Sequence, residues 1–402
     1  MSNNNKVADG GPSQGTYIQL ASKGSEDVHI YRQPEITFFK SMYKKHTPFA
    51  IESIRNVFIE RPQFNGTANV IIKKDYDLIN KMYLTVDLPY DESLTDTYWT
   101  NRVGFNLLKK YELYIGRFLI QKQYGRWVHI WKELTATIDE KRLLDEMVGT
   151  TYTNGYTNGP GANKLVKLTI PILFFCDNYE LSIPLLKIYN GNDIKVKFYF
   201  EKKANCIQSG SLPSGDLSNA YLWVDYVCLS NEERKEILNS DYRIVFNSVQ
   251  FYERSLLGSG MKSIILPFTN NSKELFWVVR NTKTLYDKFT DYTDGNGGSM
   301  IKSVQFKLNT KKMYSSKPRT FDYFNYIQPY QFHSGCPDLG INIHSFCLEP
   351  ESNKPSGDLN LKTISRFVMD IDVKQYGHLY IYSSMYNVID FIDGDVELFY
   401  RV

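Results

Sequence analysis

Apolar and polar residues alternate along most of this chain, which is the pattern of β-strands with one buried face. Every second residue is apolar at 82–88, 166–170, 194–200 and 304–308, where Lys, Thr, Gln, Asp or Tyr lie between. Turn-forming clusters such as LPYDES, SGSLPSGD and DGNGGS separate about eight such segments on each side of residue 235. Because strands and helices do not alternate, the pattern predicts an all-β, antiparallel protein.

Two short helices are predicted from their own start signals. Ser230 with Glu233, and Thr137 with Glu140, have the spacing of a capping box, in which hydroxyl and carboxylate bond the free amides at a helix start. Gly149 is a predicted stop for the second helix. The helix at Ser230 lies between the two strand-rich halves, so we predict that it connects them.

The length of each half indicates a particular β-fold. Eight strands of about six residues with short turns need only roughly 100 residues, so each half has surplus chain for long loops. Antiparallel eight-stranded units with long connections are typical of jelly rolls. We predict two tandem eight-stranded antiparallel jelly rolls with short linking helices. The predicted parts are a flexible N-terminal arm at 1–25, a first jelly roll at 26–229, a linking helix at 230–240 and a second jelly roll at 241–402.

The composition limits which partners and which cellular compartment we expect for the protein. The net charge is only +3, which gives no strong field to attract nucleic acid. The first 15 residues lack the apolar core of a secretory signal, and the longest apolar run, at 168–175, is far below the roughly 18 residues that cross a bilayer. Five scattered cysteines are an odd number that suits no disulfide framework. We expect a soluble protein that assembles in a reducing cytoplasm.

One cluster in the sequence resembles a metal site. His333, Cys336, His344 and Cys347 form two His-x-x-Cys pairs, and four such ligands are typical of zinc. If the segment around His344 is a strand, His344 and Cys347 point to opposite faces and cannot both reach one ion. Ordinary packing is therefore the favoured interpretation, and we predict neither metal nor cofactor.

Catalytic patterns are equally weak. Asp370 and Asp372 share a predicted strand face, and Glu349 and Glu351 flank a proline, so a glycosidase-like carboxylate pair is conceivable. Solvated charges on a strand face are far commoner. Ser259 lies between two glycines but lacks the G-x-S-x-G elbow of serine hydrolases. We expect no enzymatic activity.

Two further patterns concern phosphate and nucleic acid. The glycine-rich segment 294–299 does not open a helix and fits a turn, and no P-loop motif occurs. The basic, aromatic segment 109–127 offers cations and rings to a single strand, but its alternation and the Gly116-Arg117 turn favour a hairpin with ordinary exposed cations.

Two glycosylation sequons occur, at Asn65 and Asn270. Without a secretory signal, chance occurrence is the default interpretation of both.

Several segments, in order along the chain, resemble the major capsid proteins of large nucleocytoplasmic DNA viruses. The resemblance spans roughly residues 16 to 392 and is carried by YIQLASKGSEDVHIYRQPEITFFKSMYKKHTPFAIESI, IGRFLIQKQYGRWVHIWKELT, WVDYVCLSNEERKEI, ELFWVVRN, YFNYIQPYQFHSGCPDLGINIHSFCLEPESNKPSGDLNL and LYIYSSMYNVIDF. It implies a double jelly roll, a homotrimer of hexagonal outline, and a lattice of trimers forming an icosahedral shell around an inner membrane. It also implies assembly in the cytoplasm of the infected cell.

The resemblance places residues 34–54 at the base of the capsomer, beside the first strand. The rings of Phe38, Phe39, Tyr43 and Phe49 are then expected to bury apolar area. The expected contacts with minor capsid proteins or anionic lipid come from the cations of this segment, Lys44, Lys45 and His46. No direct nucleic-acid contact and no small-molecule substrate are implied.

Two other classes of function remain as alternatives. A carbohydrate-binding or carbohydrate-processing β-sandwich protein is supported by aromatic residues and the carboxylate pairs. A nucleic-acid-coating protein would bind DNA with a steep salt dependence. The structural capsid protein is the leading hypothesis.

Overall fold

The computed structural model describes residues 13–153, 156–189, 191–281, 287–314, 317–392 and 394–400. The chain forms two compact units, which divide between Thr47 and Pro48. In the first unit, helix α1 (Gln14–Ala21) begins at Ser13, whose Oγ accepts a hydrogen bond from the Thr16 amide, and helix α2 (Val28–Tyr31) follows. The second unit contains the β-structure.

The strands before residue 230 build the first jelly roll. They are β1 (Phe49–Val57), β2 (Thr67–Ile72), β3 (Leu78–Leu88), β4 (Tyr98–Trp99), β5 (Leu108–Ile115), β6 (Phe118–Gln123), β7 (Thr151–Thr153), β8 (Tyr156–Asn158), β9 (Val166–Pro171), β10 (Ile183–Pro184), β11 (Ile194–Phe200), β12 (Ile207–Ser209) and β13 (Ser218–Leu229). One sheet has the order β1-β13-β3, with β9 and β10 both paired to β3, and the opposing sheet has the order β2-β11-β5-β6. This is the strand order of a jelly roll.

The strands after residue 240 repeat that arrangement. They are β14 (Tyr242–Leu256), β15 (Gly260–Ile265), β16 (Asn271–Asn281), β17 (Ile301–Leu308), β18 (Lys311–Lys312), β19 (Arg319–Thr320), β20 (Asn342–Ser345), β21 (Leu359–Asn360), β22 (Phe367–Val373), β23 (Gly377–Ile392) and β24 (Asp395–Leu398). The sheet orders are β14-β23-β16-β20 and β15-β22-β17-β18, so β14 corresponds to β1, β23 to β13 and β16 to β3. The predicted double jelly roll is confirmed.

Helices connect and flank the strands of this second unit. They are α3 (Val103–Leu107), α4 (Gly125–Thr135), α5 (Ile138–Met147), α6 (Lys203–Cys206), α7 (Asn231–Asn239) and α8 (Gln328–Phe332), and a π-helical turn at Tyr323–Ile327 precedes α8. Short 3-10 turns lie at Phe175–Asp177, Tyr179–Leu181, Leu185–Lys187 and Leu361–Thr363. In the described ranges, no helix combines the length and apolar character needed to span a membrane.

Alternating burial explains why these segments are strands. In β11, Val196 and Phe198 are fully buried while the intervening lysines are partly exposed, so one face of the strand lies in the core. Similar one-sided burial runs through most of β3 and β9, whereas in β17 Gln305 is buried together with its neighbours Val304 and Phe306. The four segments that the alternation predicted are therefore confirmed as strands.

Both predicted helix starts are confirmed. Thr137 and Glu140 form a complete capping box at α5, whereas at α7 the Ser230 hydroxyl accepts from the Glu233 amide. Helix α5 ends before Gly149, which has a φ of +84° that favours glycine. The predicted hairpin at Gly116 joins β5 to β6.

Candidate functional site

Aromatic side chains hold the two jelly rolls together. Helix α4 projects Trp127 and Trp131, spaced by one helical turn, toward the outer face of the second roll's sheet β14-β23-β16-β20. The Trp127 ring lies 4.6 Å from Phe276 and 5.6 Å from Tyr382, measured between centroids. Strand β6 adds a hydrogen bond of 2.8 Å from Gln121 to the Asn247 carbonyl. The second roll therefore buries one outer sheet face against the first.

The described residues from Pro48 onward leave the corresponding face of the first roll partly exposed. On the sheet β1-β13-β3, Ile51 is 45% exposed and Val57 is 63% exposed. Trp223 and Tyr221 of β13 lie on the same face and are only half-buried, and the Arg55 guanidinium lies 4.5 Å from the Tyr221 ring centroid. Such an apolar and aromatic patch is typical of a protein interface.

A network of buried charges joins α3, α4 and α5. Arg102 Nε donates to Asp145 at 2.6 Å, and its Nη1 bonds Glu133 and lies 3.0 Å from His129 Nδ1. Burial, together with the Arg102 charge, lowers the pKa of His129 well below its usual value. Lys141 bonds the second oxygen of Glu133 at 3.0 Å. The carboxylates are thus neutralised by fixed cations, which indicates a structural role.

A second buried ion pair lies beside α8. His333 Nε2 is 2.9 Å from Glu274 and its Nδ1 is 3.2 Å from Glu351. Burial lowers the pKa of His333, but the charges and hydrogen bonds of the two carboxylates outweigh it and raise that pKa to about 9. Burial also raises the pKa of Glu274. His333 is therefore an imidazolium at neutral pH.

The zinc candidates do not converge. His333 is bound by carboxylates, Cys336 is exposed, and His344 Nδ1 lies 3.4 Å from the Tyr314 hydroxyl. Strand β20 ends at residue 345, so Cys347 lies beyond it, where Ser345 bonds its backbone. Across the described ranges, no three His, Cys, Asp or Glu side chains are placed to hold a metal ion.

Two of the four carboxylate candidates, Asp370 and Glu351, are engaged in the fold. Asp370 is bonded by Lys307 and, at 2.6 Å, by the Ser263 hydroxyl. Burial raises the pKa of Asp370, but these partners lower it below the usual value, which does not suit a general acid. Glu351 bonds His333 and the Ser334 amide, whereas Glu349 is exposed. Ser259 lies in a bend after β14 and does not form a strand-to-helix elbow.

Turn chemistry accounts for the glycine-rich segment. Asp294 Oδ1 accepts from the amides of Asn296 and Gly298 at 3.0 and 2.9 Å. The Lys374 ammonium bonds the other oxygen of Asp294 at 2.9 Å. These contacts close a compact turn.

The predicted base segment is exposed in the single chain. Phe38, Phe39 and Tyr43 are 88, 98 and 80% exposed. Lys44, Lys45 and His46 are exposed as well, and the Phe49 ring at the start of β1 is 58% exposed. The rings of Phe38, Phe39 and Tyr43 thus remain available for an interface.

The two sequons differ in access. Asn65 is exposed in a turn with a φ of +58°. Asn270 is 4% exposed, and its Nδ2 lies 3.5 Å from the Met385 sulfur. The folded chain therefore leaves only Asn65 of this pair open to a glycosyltransferase.

The sequence analysis did not predict helix α4 or the contacts that its aromatic residues make with the second roll. The segment 109–127 does contain the predicted hairpin, but its last residues begin a helix. The signal was the spacing of Trp127, Ile130, Trp131 and Leu134, which is that of an amphipathic helix face.

Comparisons with known proteins agree with this architecture. The family profile described as "Major capsid protein N-terminus" matches residues 37–230, and that described as "Large eukaryotic DNA virus major capsid protein" matches residues 233–394. The chain is 30% identical to the major capsid protein of Pyramimonas orientalis virus, over 94% of this chain and 98% of the relative. It is 26% identical to the major capsid protein of Paramecium bursaria Chlorella virus 1, over 90% of this chain and 87% of the relative.

Solved structures share the fold. A crystal structure of PBCV-1 VP54 superposes with a TM-score of 0.78 at 22% identity, covering 91% of this chain and all of that one. The Faustovirus major capsid protein superposes with a TM-score of 0.73 at 10% identity, covering 93% of this chain and 96% of that one.

Proposed function

The chain belongs to the major capsid protein family of large eukaryotic DNA viruses, and we propose that three copies form a capsomer of hexagonal outline that tiles an icosahedral shell. As a member of this family it is a structural protein of the virion capsid. The trimer and its lattice are the proposal.

The supporting observation is that two equivalent sheet faces, one in each roll, differ in burial. The outer face of β14-β23-β16 is buried against the first jelly roll, whereas the described residues leave the equivalent face of β1-β13-β3 partly exposed. If the second roll of a neighbouring copy covers that face as the first roll covers its partner, the contact is heterologous and repeats around an axis. Such a contact closes into a ring after three two-roll chains.

The partly exposed face has suitable chemistry for this contact. Burial of the exposed apolar surface of Ile51 and Val57 would stabilise the contact between copies, because full burial of such a side chain contributes about 1.5–3 kcal/mol. Trp223 and Arg55 are residue types that dominate binding energy at interfaces. Obligate interfaces bury more than about 2,000 Å², so the whole face would take part.

Light scattering coupled to size exclusion tests the trimer. The natural chain should elute at about three times its mass of 46.8 kDa, whereas Ile51→Asp/Val57→Asp should elute as a folded monomer because carboxylates cannot be buried unpaired. Leu212→Asp is the control, since Leu212 is 55% exposed and lies in a loop. A monomeric natural chain, or trimers of the double variant, would exclude this arrangement.

We further propose that the base segment contacts minor capsid proteins or the anionic face of an inner membrane. Its exposed rings, Phe38, Phe39 and Tyr43, supply apolar surface. The neighbouring cations Lys44 and Lys45 supply attraction to acidic groups, and His46 follows them as a polar residue.

Charge reversal separates this role from trimer formation. Lys44→Glu/Lys45→Glu should leave trimers intact but reduce incorporation into particles, because the altered residues repel acidic partners. The control Lys202→Glu/Lys235→Glu reverses two exposed lysines outside the segment. Equal incorporation of both variants would refute the proposed contact.

We also propose that the chain is made and assembled in the host cytoplasm. Its five cysteines are unpaired, and Cys176, Cys206 and Cys347 are buried, which suits a reducing compartment. Imaging of tagged protein in infected cells tests this, and accumulation in the secretory pathway would contradict it.

A further inference from the structure

A basic cleft lies at the junction of the two jelly rolls, with a volume of about 450 Å³. We name it the arginine cleft. Its charged wall residues come from both rolls: the cations are Lys109, Lys110, Arg126, Arg280 and Lys288, and the anions are Glu201 and Glu253. Its size is that of a small-molecule site.

Arg126 is held in place but not neutralised. Its Nη1 donates to the Phe289 carbonyl at 2.9 Å and to the Tyr292 hydroxyl at 3.1 Å. The guanidinium carbon also lies 4.8 Å from the ring centroids of Phe289 and Tyr380. Among the described residues no carboxylate pairs with Arg126, so its Nε and Nη2 donors remain available.

Arg280 carries a donor without an acceptor. Its Nη1 donates to the Lys288 carbonyl at 3.0 Å, while its Nε is buried and has no hydrogen-bond partner in the described part of the chain. Leaving a buried donor unsatisfied costs about 1–3 kcal/mol, and more for a charged group. That Nε is closed to solvent and cannot itself contact a ligand oxygen, so Arg280 would bind an anion through its Nη2 group.

Helix α4 adds a third attraction for anions. It begins at Gly125, and its cap residue Tyr124 and its second residue Arg126 both line the cleft. Tyr124 provides no side-chain cap, and the first turn has no acidic residue. No acidic side chain of the first turn compensates the positive end of the helix dipole, and the carbonyl oxygens of Phe105 and Leu108 lie against Gly125 on one side of it.

The other charges of the wall are largely engaged. Lys110 pairs with Glu112 at 2.8 Å, and Lys288 Nζ donates to the Ile207 carbonyl at 2.8 Å. Glu201 accepts from the Asn205 amide group at 2.8 Å. Hydrogen bonds to neutral groups leave these charges in place, so apart from the Lys110–Glu112 pair the wall keeps four cations against the carboxylates of Glu201 and Glu253.

We infer that the arginine cleft binds a small phosphate-bearing molecule across the two jelly rolls. Two guanidinium groups with free donors are the geometry that recognises phosphate oxygens. The volume exceeds that of a bare ion, and the rings of Tyr124, Phe251 and Tyr382 form an apolar wall beside the arginines. An organic phosphate with a flat group is therefore the favoured ligand. This inference does not depend on the trimer.

Calorimetric titration of the full chain with inorganic phosphate and with AMP tests the site. Both should bind at low salt, AMP more tightly, and Arg280→Gln should weaken binding about tenfold or more, equivalent to about 1.4 kcal/mol. The control Lys235→Gln removes an exposed cation of α7 and should bind like the natural chain.

Stability measurements keep the test decisive if Arg280→Gln unfolds. Because the ligand would bridge the two rolls, it should raise the melting temperature of the natural chain. The variant Arg280→Lys keeps the charge and should retain part of that rise. Absence of both heat and stabilisation, or equal binding by Arg280→Gln, would overturn the site, and equal affinity for phosphate and AMP would overturn the organic ligand.

Discussion

Replacement of His333 by Gln should remove a pH dependence of stability that the buried ion pair creates. His333 has a pKa of about 9 in the folded chain, against 6.5 for an unperturbed histidine. At about 1.4 kcal/mol for each pKa unit, that difference corresponds to about 3–4 kcal/mol. Since the folded-state pKa is raised, this stability is fully present below pH 6.5 and is lost as pH rises through 9.

Guanidinium unfolding at pH 6.5 and pH 9, at one fixed protein concentration, measures the effect. The natural chain should lose about 3 kcal/mol more than His333→Gln over this interval. Burial lowers the pKa of Lys273 to about 8, but that group titrates in both proteins and cancels in the difference. The control His378→Gln alters a histidine whose Nδ1 lies 3.0 Å from the Ser255 hydroxyl, and it should keep the natural pH dependence.

If His333→Gln and the natural chain lost the same stability between the two pH values, the buried ion pair would not be the source of the pH dependence. Loss of the same dependence in His378→Gln would point to a different histidine.

Three further predictions concern the junction and its helices, each measured by denaturant unfolding. Trp127→Ala should cost about 3–5 kcal/mol because the ring is 5% exposed, and a loss below about 1 kcal/mol would contradict its role. Gly125→Ala should destabilise the chain by more than about 1 kcal/mol, since a Cβ there would overlap the carbonyl oxygen of Phe105, and an unchanged midpoint would show that α4 can shift. Arg102→Gln should cost about 3–5 kcal/mol by leaving the buried Asp145 without its cation, and adding Asp145→Asn should restore part of it. Failure of that second change to help would argue against the network.

Strand positions could be predicted from the sequence because one-sided burial leaves a period of two. In β11, the alternation of apolar residues with Lys195 and Lys197 follows directly from a core face and a wetter face. Helix α4 was not predicted because it follows β6 almost without a break and Tyr124 gives no side-chain cap. A helix without a start signal is difficult to separate from a preceding hairpin.

The partners of buried charges could not be predicted, because they depend on how distant segments dock. His333 and Glu274 lie 59 residues apart, and no local pattern relates them. The His-x-x-Cys spacing resembles a zinc arrangement, for which ordinary packing is the favoured interpretation, and only the fold shows that His333 has two carboxylate partners. Arg126 and Arg280 likewise meet only because the two jelly rolls pack together.

The aromatic contact between the two rolls also affects the entropy of assembly. The proposed ring contains two kinds of contact between neighbouring rolls, one within each chain and one between chains. The contact within the chain forms at a high effective concentration, because the short helix α7 links the two rolls. In the proposed ring, six barrels would therefore lose the translational and rotational freedom of only three bodies. A virus that built the same ring from single barrels would have to offset roughly twice that loss before its shell began to grow.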